Sequence, residues 1–265
     1  MHVGSPSATS TSPRLEISIL TGTVSSNGKT VLLTNRELEL LFAIARRPQF
    51  FGAEELICEI WPERDGDAGT NLLKAHLHHL RKRLGDRRMI VRTSEGLRLC
   101  DGAIVDLWEI GHLVSAIRGR RICDDSELKS IRSLYERLCA QPPLCVSTWS
   151  WFRPTAGKIA NMRRAVAQAL AAYGMRCGRG GDVLALAEEM IEHDPYDEEA
   201  RELAITAHLA LGNRAAALRQ YREYHEMLRA DFQCEPSPAL LSLLNKPESR
   251  GLPSAKPAVL TSSFS

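Results

Sequence analysis

The most chemically informative residues lie between positions 71 and 84, where the spacing of apolar residues predicts an amphipathic helix. At 100° per residue, four leucines fall within one narrow arc and predict a buried seam: Leu73, Leu77, Leu80 and Leu84. The opposite arc carries side chains suited to base edges, phosphates and thymine methyl groups: Asn71, Lys74, Ala75, His78 and Lys82. Arg81 lies on one flank, where it can neutralise a phosphate as Lys82 can. This face predicts contact with the major groove of double-stranded DNA.

Charge is concentrated around the same helix. Residues 71–98 contain eight lysines and arginines against two acids, a net charge of +6, whereas the whole chain carries +2. Such a local excess is typical of a nucleic-acid face. A solvated helix face with no ligand is the alternative, but a polar loop precedes the helix and a basic hairpin follows it. On that hairpin, Arg92, Thr93 and Arg98 are expected to reach an adjacent groove or the DNA backbone.

Other candidate sites fail on spacing or on context. Of the three clustered histidines, only His76 and His79 share a helix face, and no acid or cysteine joins them as a metal ligand would. Gly28-Lys29-Thr30 resembles the end of a phosphate-binding loop, but five residues separate it from Gly22 where four are required. No catalytic set emerges either. We therefore predict no catalytic residue, no metal, no cofactor and no enzymatic activity.

The segments around the basic helix predict a small α+β domain. A strand pattern at Leu15–Ile19 precedes an Asn27-Gly28 hairpin turn and a returning strand at Lys29–Leu33. Thr34 and Glu37 form a capping-box pattern that starts the first helix. The later elements are a second helix at Ala53–Ile60, the basic helix at Asn71–Leu84, and a short hairpin from Met89 to Leu99. Strands, three helices and a hairpin are the elements of a winged helix, whose second and third helices form the helix-turn-helix.

The rest of the chain predicts helices only. They are expected at Asp106–Arg118, Asp125–Ala140, Thr155–Arg176, Asp182–Glu192, Glu198–Leu211 and Arg214–Phe232. Gly178 and Gly212 are 34 residues apart, each before a helix with matching apolar positions. That period indicates a tetratricopeptide-like (TPR-like) array, with a helical bundle lacking a strict repeat as the alternative. The aromatic run Trp149–Phe152 indicates either a plug between helices or a partner-binding patch.

The overall composition fits two domains and excludes a membrane protein. No run of 18 apolar residues occurs, and the seven cysteines lack metal or disulfide spacing, which is typical of reduced thiols in the cytoplasm. We predict a disordered lead-in at 1–14, a winged helix at 15–104 ending in a linker at Asp101–Ile104, an all-α TPR-like domain at 105–245, and a disordered tail at 246–265.

Two stretches resemble known bacterial families. The first resembles the OmpR/PhoB-type winged helix. This resemblance lies in three segments: the run Leu33-Thr34-Asn35-Arg36-Glu37-Leu38-Glu39-Leu40-Leu41, the pair Trp61-Pro62, and the segment from His76 to Gly85. The second resembles the bacterial transcriptional activation domain (BTAD). This resemblance lies in Asp194–Ala200, in Gly212–Leu218 with Tyr221, and in Glu235–Pro238. The two domains follow one another in SARP-type regulators. The resemblance covers about Leu15 to Leu244.

The resemblance implies a sequence-specific, DNA-binding transcription regulator of the activator type, located in the cytoplasm at the nucleoid. Asn71, Lys74, His78 and His79 would face the groove, and Arg81 would contact a phosphate. The loop Pro62–Gly69 would face RNA polymerase, and the helical domain would support self-association. Arginine is common in the family where this chain has His78 and His79. The rival function is a TPR-like scaffold whose winged helix docks protein rather than DNA.

Overall fold

The computed structural model describes residues 13–64 and 66–245. The predicted tail at 246–265 and all but two residues of the predicted lead-in lie outside the described residues. The chain divides into two compact units. The first contains the described residues up to 120 together with 125–166, and the second contains 121–124 together with 167–245. The domain boundary after residue 104 stays a prediction.

The described strands all lie in the first unit: β1 (Leu15–Ser18), β2 (Thr23–Ser26), β3 (Lys29–Thr30), β4 (Ile90–Arg92), β5 (Leu97–Leu99) and β6 (Ala103–Val105). Four of them form one sheet in the order β3-β2-β1-β6, in which β1 is antiparallel to β2 and parallel to β6. The strands β4 and β5 form a separate antiparallel hairpin, which we call the wing (residues 90–99).

The first sheet contains one strand that was not predicted, and it corrects one prediction. Residues 23–26 form β2, because Val24 and Ser26 are buried on one face while β1 supplies the pairing. The expected linker Asp101–Ile104 contains the start of β6, which pairs with the free edge of β1. The Asn27-Gly28 turn is confirmed, with φ angles of 49° and 77°, as a type I′ hairpin turn requires. It joins β2 to β3, which ends at Thr30.

The helices follow the predicted order closely: α1 (Asn35–Ala45), α2 (Ala53–Ile60), α3 (Gly66–Leu84), α4 (Asp106–Ile117), α5 (Asp125–Cys139), α6 (Leu144–Ser147), α7 (Arg153–Arg176), α8 (Gly180–His193), α9 (Glu198–Ala210), α10 (Arg214–Phe232) and α11 (Pro238–Asn245). The predicted capping box starts α1, since Thr34 accepts from the Glu37 amide and Glu37 accepts from the Thr34 amide. A winged-helix region followed by a largely helical region confirms the predicted fold class.

The basic helix α3 begins five residues earlier than predicted, at Gly66 rather than Asn71. Its first turn is rich in glycine and polar residues, a composition that indicates a loop. Gly69 is nevertheless buried, and a Cβ atom there would lie 2.4 Å from Cγ2 of Ile57 in α2. This close helix–helix contact explains both the glycine and the longer helix. The predicted loop Pro62–Gly69 is therefore partly helical.

In the second unit, α8, α9 and α10 pack successively on one another. Gly178 and Gly212 both adopt the left-handed conformation, with φ of 68° and 73°, just before the next helix begins. Helix α11 was not predicted. It covers the end of this stack with Leu240 and Leu244, which are 1% and 2% exposed. Every helix within 13–64 and 66–245 is too short or too polar to cross a membrane.

Candidate nucleic-acid interface

The two faces of α3 separate as its residue pattern predicts. The four leucines of the seam are between 0% and 2% exposed and form the contact with the rest of the first unit. The predicted DNA-facing residues of α3 are exposed, except for Arg81: Asn71, Lys74, Ala75, His78, His79 and Lys82. His78 and His79 are both exposed, and their two rings meet edge to face at 5.7 Å.

Contacts at three points along α3 fix its position in the winged helix. Near its middle, the half-buried His76 ring stacks on Trp61 at 5.3 Å, directly after α2. At its end, the Leu84 carbonyl oxygen accepts a 2.5 Å hydrogen bond from Ser26 of β2. One residue earlier, Arg83 forms a 3.0 Å ion pair with Glu37 at the start of α1. His76 thus serves packing, while the exposed face of α3 stays open.

Glu37 is the acid in the contact between the end of α3 and the start of α1. It is 4% exposed and accepts hydrogen bonds from the Thr34 amide and hydroxyl as well as from Arg83. Burial acts to raise the pKa of Glu37, but the hydrogen bonds from Thr34 and the charge of Arg83 outweigh it and lower the pKa below its usual value. The carboxylate therefore joins the start of α1 to the end of α3 in its charged form.

The eight cations of residues 71–98 fall into two sets. Three are paired with acids: Arg83 with Glu37, Arg88 with Asp86, and Arg98 with Asp101. The other five line one open groove between α3 and the wing, which we call the basic groove: Lys74, Arg81, Lys82, Arg87 and Arg92. It has a volume of about 460 Å³, and the described residues that line it include no acid. The charge excess is thus directed into one groove.

The wing is short and closely anchored. Arg92 and Thr93 are exposed at its tip, where the Thr93 amide donates to the Gly96 carbonyl oxygen at 2.9 Å. Gly96 has a φ of 139°, and a Cβ atom there would lie 2.1 Å from the Phe51 carbonyl oxygen. Arg98 was expected to reach DNA, but its guanidinium bonds Asp101 at 2.5 Å and lies over Phe50. Arg92 and Thr93 therefore lie on the wing's open polar surface, which also includes the exposed Ser94 and Glu95.

Arg81 differs from the other predicted contact residues of α3 because it is half-buried. Its Nη2 donates a 2.6 Å hydrogen bond to the carbonyl oxygen of Ile90 in β4. Burial lowers the pKa of Arg81, and the positive charges of Arg87 and Arg92 lower it further. The structure thus places Arg81 between α3 and the wing, at the floor of the basic groove.

Comparisons with known proteins match both halves of the chain. Residues 28–97 match the family model "Transcriptional regulatory protein, C terminal", and residues 140–246 match "Bacterial transcriptional activator domain". The chain is a SARP-type transcriptional regulator. Its two matched families are those of a DNA-binding transcriptional activator.

One solved structure shares the fold of this SARP-type regulator. It is described as Mycobacterium tuberculosis EmbR in complex with a low-affinity phosphopeptide, with a TM-score of 0.71 and 22% sequence identity over 88% of this chain. This chain spans 65% of the length of that EmbR chain. Comparison with curated protein sequences gives no match.

The activator-domain match of the SARP-type regulator begins inside the first compact unit. Trp151 and Phe152 are only 5% and 3% exposed, and Trp149 meets Phe42 of α1 edge to face at 6.2 Å. The aromatic run 149–152 therefore acts as a plug against the winged helix, which was one of its two predicted roles. Residue spacing could not reveal this, because more than 100 residues separate the aromatic partners.

Proposed function

We propose that this SARP-type regulator binds double-stranded DNA sequence-specifically by placing α3 in the major groove, and that it activates transcription by recruiting RNA polymerase. The observation that carries the proposal is the separation of apolar, polar and positively charged side chains around α3. Its leucine seam is buried, its polar face is exposed, and the cations that no acid neutralises share one groove. A helix face that served solubility alone would not need its unneutralised cations to lie in one groove.

The exposed face of α3 supplies the base contacts in this proposal. Asn71 can bond adenine through both the oxygen and the nitrogen of its side-chain amide, and Lys74 can donate to guanine. Ala75 lets the helix approach closely and can contact a thymine methyl group. His78 and His79 offer ring nitrogens as donors or acceptors. Together they form a mixed donor, acceptor and apolar surface, which is what discrimination between base pairs requires.

Phosphate contacts would come from both sides of the basic groove. Lys82 lies on α3, whereas Arg87 and Arg92 lie before and within the wing, and all three are exposed. Thr93 adds a hydroxyl at the wing tip. Such contacts fix the register of the protein on the duplex without reading its sequence. Arg81 was expected to join this set, but its Nη2 atom donates to the Ile90 carbonyl oxygen.

The partners beyond DNA follow from the family. The segment between α2 and α3 exposes Pro62, Glu63 and Arg64, and the first turn of α3 continues it to Gly69. We propose that Pro62–Gly69 contacts RNA polymerase. The helical second unit would support self-association, and the regulator would act in the cytoplasm at the nucleoid without an enzymatic activity of its own.

A salt titration of duplex binding tests the DNA proposal. Fluorescence anisotropy with a labelled 24-base-pair duplex should show affinity that falls steeply with salt, because each phosphate contact contributes about 0.9 to the slope of log K against log salt. Replacing Lys74 and Lys82 with alanine should lower that slope by up to about 1.8. The matched control replaces Lys129 and Lys158, two exposed lysines on α5 and α7, and should leave it unchanged. Absent or salt-insensitive binding would favour the scaffold function.

A further inference from the structure

The two strands of the wing are each attached to the helical part of the first unit by their outer edge. On the β5 side, Phe51 and Leu97 exchange two backbone hydrogen bonds of 2.7 and 2.9 Å. On the β4 side, the corresponding contact is the 2.6 Å hydrogen bond from Arg81 Nη2 to the Ile90 carbonyl oxygen. Ile90 itself is fully buried and pairs with Leu99 across the hairpin. Arg81 thus joins α3 to the base of the wing.

One edge of the Arg81 guanidinium is not available to a phosphate. An arginine binds phosphate best with two parallel N–H groups. The Nη2 atom of Arg81 already donates to Ile90, and its Nε atom is buried without a hydrogen-bond partner. The edge formed by Nε and Nη2 is therefore closed to a ligand. Lys82, the next residue, is exposed.

The position of Arg81 also determines the geometry of the basic groove. Lys74, His78 and Lys82 form one side of the groove on α3, and Arg87 and Arg92 form the other. Arg81 lies between the two sides and is bonded across them. Mutual repulsion among these cations would push the two sides apart, and a hydrogen bond from the helix to the β4 backbone opposes that movement.

We propose that Arg81 is a positioning residue, which holds the wing against α3 so that the cations of both can contact one DNA backbone. This inference rests on the proposed DNA binding, but its structural part does not need DNA. It replaces the direct phosphate contact that the sequence predicts for Arg81. The wing's own contacts, through Arg92 and Thr93, would then depend on a residue that does not contact DNA.

The first test measures amide hydrogen exchange of the full chain without DNA. In Arg81→Met, amides of residues 90–99 should exchange about fivefold faster, which corresponds to the loss of one hydrogen bond. Lys82→Met is the matched control, because it removes a neighbouring charge that makes no such bond, and it should leave the wing unchanged. Wing exchange in Arg81→Met equal to that of the unmodified chain would overturn the proposal.

The second test is a double-mutant cycle on the labelled 24-base-pair duplex. Arg81→Met should weaken binding about fivefold in the unmodified chain, but less than about twofold when Arg92 is already alanine, since the wing contact has then gone. An equal loss in both backgrounds would show a direct, independent contact and overturn the proposal.

Arg81→Lys serves as a milder second variant. It keeps the charge but not the planar fork, so a positioning role predicts faster exchange of the wing amides without DNA, whereas a phosphate contact alone predicts unchanged exchange. If the unmodified chain fails to bind the duplex at all, the proposed function fails, and the hydrogen-exchange result still decides the role of Arg81.

Discussion

The guanidinium carbon of Arg46, the residue directly after α1, lies 5.2 Å from the ring centroid of Trp151, and Nη1 of Arg46 donates a 3.4 Å hydrogen bond to the Trp151 carbonyl oxygen. The same guanidinium pairs with Glu59 of α2 and lies over the ring of Phe51. Arg46 belongs to the matched winged helix, whereas Trp151 belongs to the matched activator domain. The start of the activator domain is thus part of the packing that holds α1 and α2 together.

This packing predicts that Trp151 stabilises the DNA-binding part of the chain. Trp151→Ala removes a large side chain that is 5% exposed, so the first unit should lose about 3–5 kcal/mol of unfolding free energy. Urea unfolding followed by circular dichroism measures the loss. Leu144→Ala is the control, because Leu144 lies in the same segment at 82% exposure and should change stability by less than about 0.5 kcal/mol. Equal effects would refute the role of Trp151.

A second prediction concerns the turn of the wing. Gly96→Ala would place a Cβ atom 2.1 Å from a backbone oxygen at a φ of 139°, so it should destabilise the first unit by more than about 1 kcal/mol and loosen the wing. Gly111→Ala in α4 is the matched control, because a Cβ atom there meets nothing within 4 Å. That change should stabilise the chain by up to about 1 kcal/mol. Thermal unfolding of both variants provides the comparison, and a neutral Gly96→Ala would contradict this account.

Local pattern predicted much of this architecture, and contacts distant in sequence account for most of what it missed. The seam and the open face of α3 follow from helical periodicity alone, and so does the capping box at Thr34. The pairing of β6 with β1 joins segments almost 90 residues apart, and no local pattern encodes it. The hydrogen bond of Arg81 was missed for a similar reason, because a helix wheel places its side chain on a flank but does not show the Ile90 carbonyl oxygen that accepts from it.

A third prediction follows from the lowered pKa of Glu37. A carboxylate with a lower pKa in the folded state contributes stability above its usual value of 4.5, and this contribution is lost as the pH falls below that value. Glu37→Gln should therefore cost about 1 kcal/mol at pH 7 through the weakened cap. It should also make stability less sensitive to pH below 4.5. Glu54→Gln, at an exposed position in the first turn of α2, is the control for both measurements, which are urea midpoints taken from pH 7 to pH 3.

The last prediction concerns His78 and His79, which occupy positions where the resembling family commonly has arginine. Histidine gains a positive charge as the pH falls from 8 to 6, and the basic groove beside His78 contains only cations among its charged described residues. A phosphate brought in by DNA would favour the charged form of an imidazole ring that contacts it. Duplex affinity should therefore rise as the pH falls over this range.

Replacing both histidines with arginine should give tight binding that no longer varies with pH, and replacing both with glutamine should give weaker binding that is also constant. Anisotropy titrations at fixed ionic strength separate these outcomes, with Lys129→Ala as a variant expected to keep the full pH response. If the glutamine pair kept the same dependence on pH as the unmodified chain, the proton-linked step would lie elsewhere, and these two rings would contribute shape rather than charge to recognition.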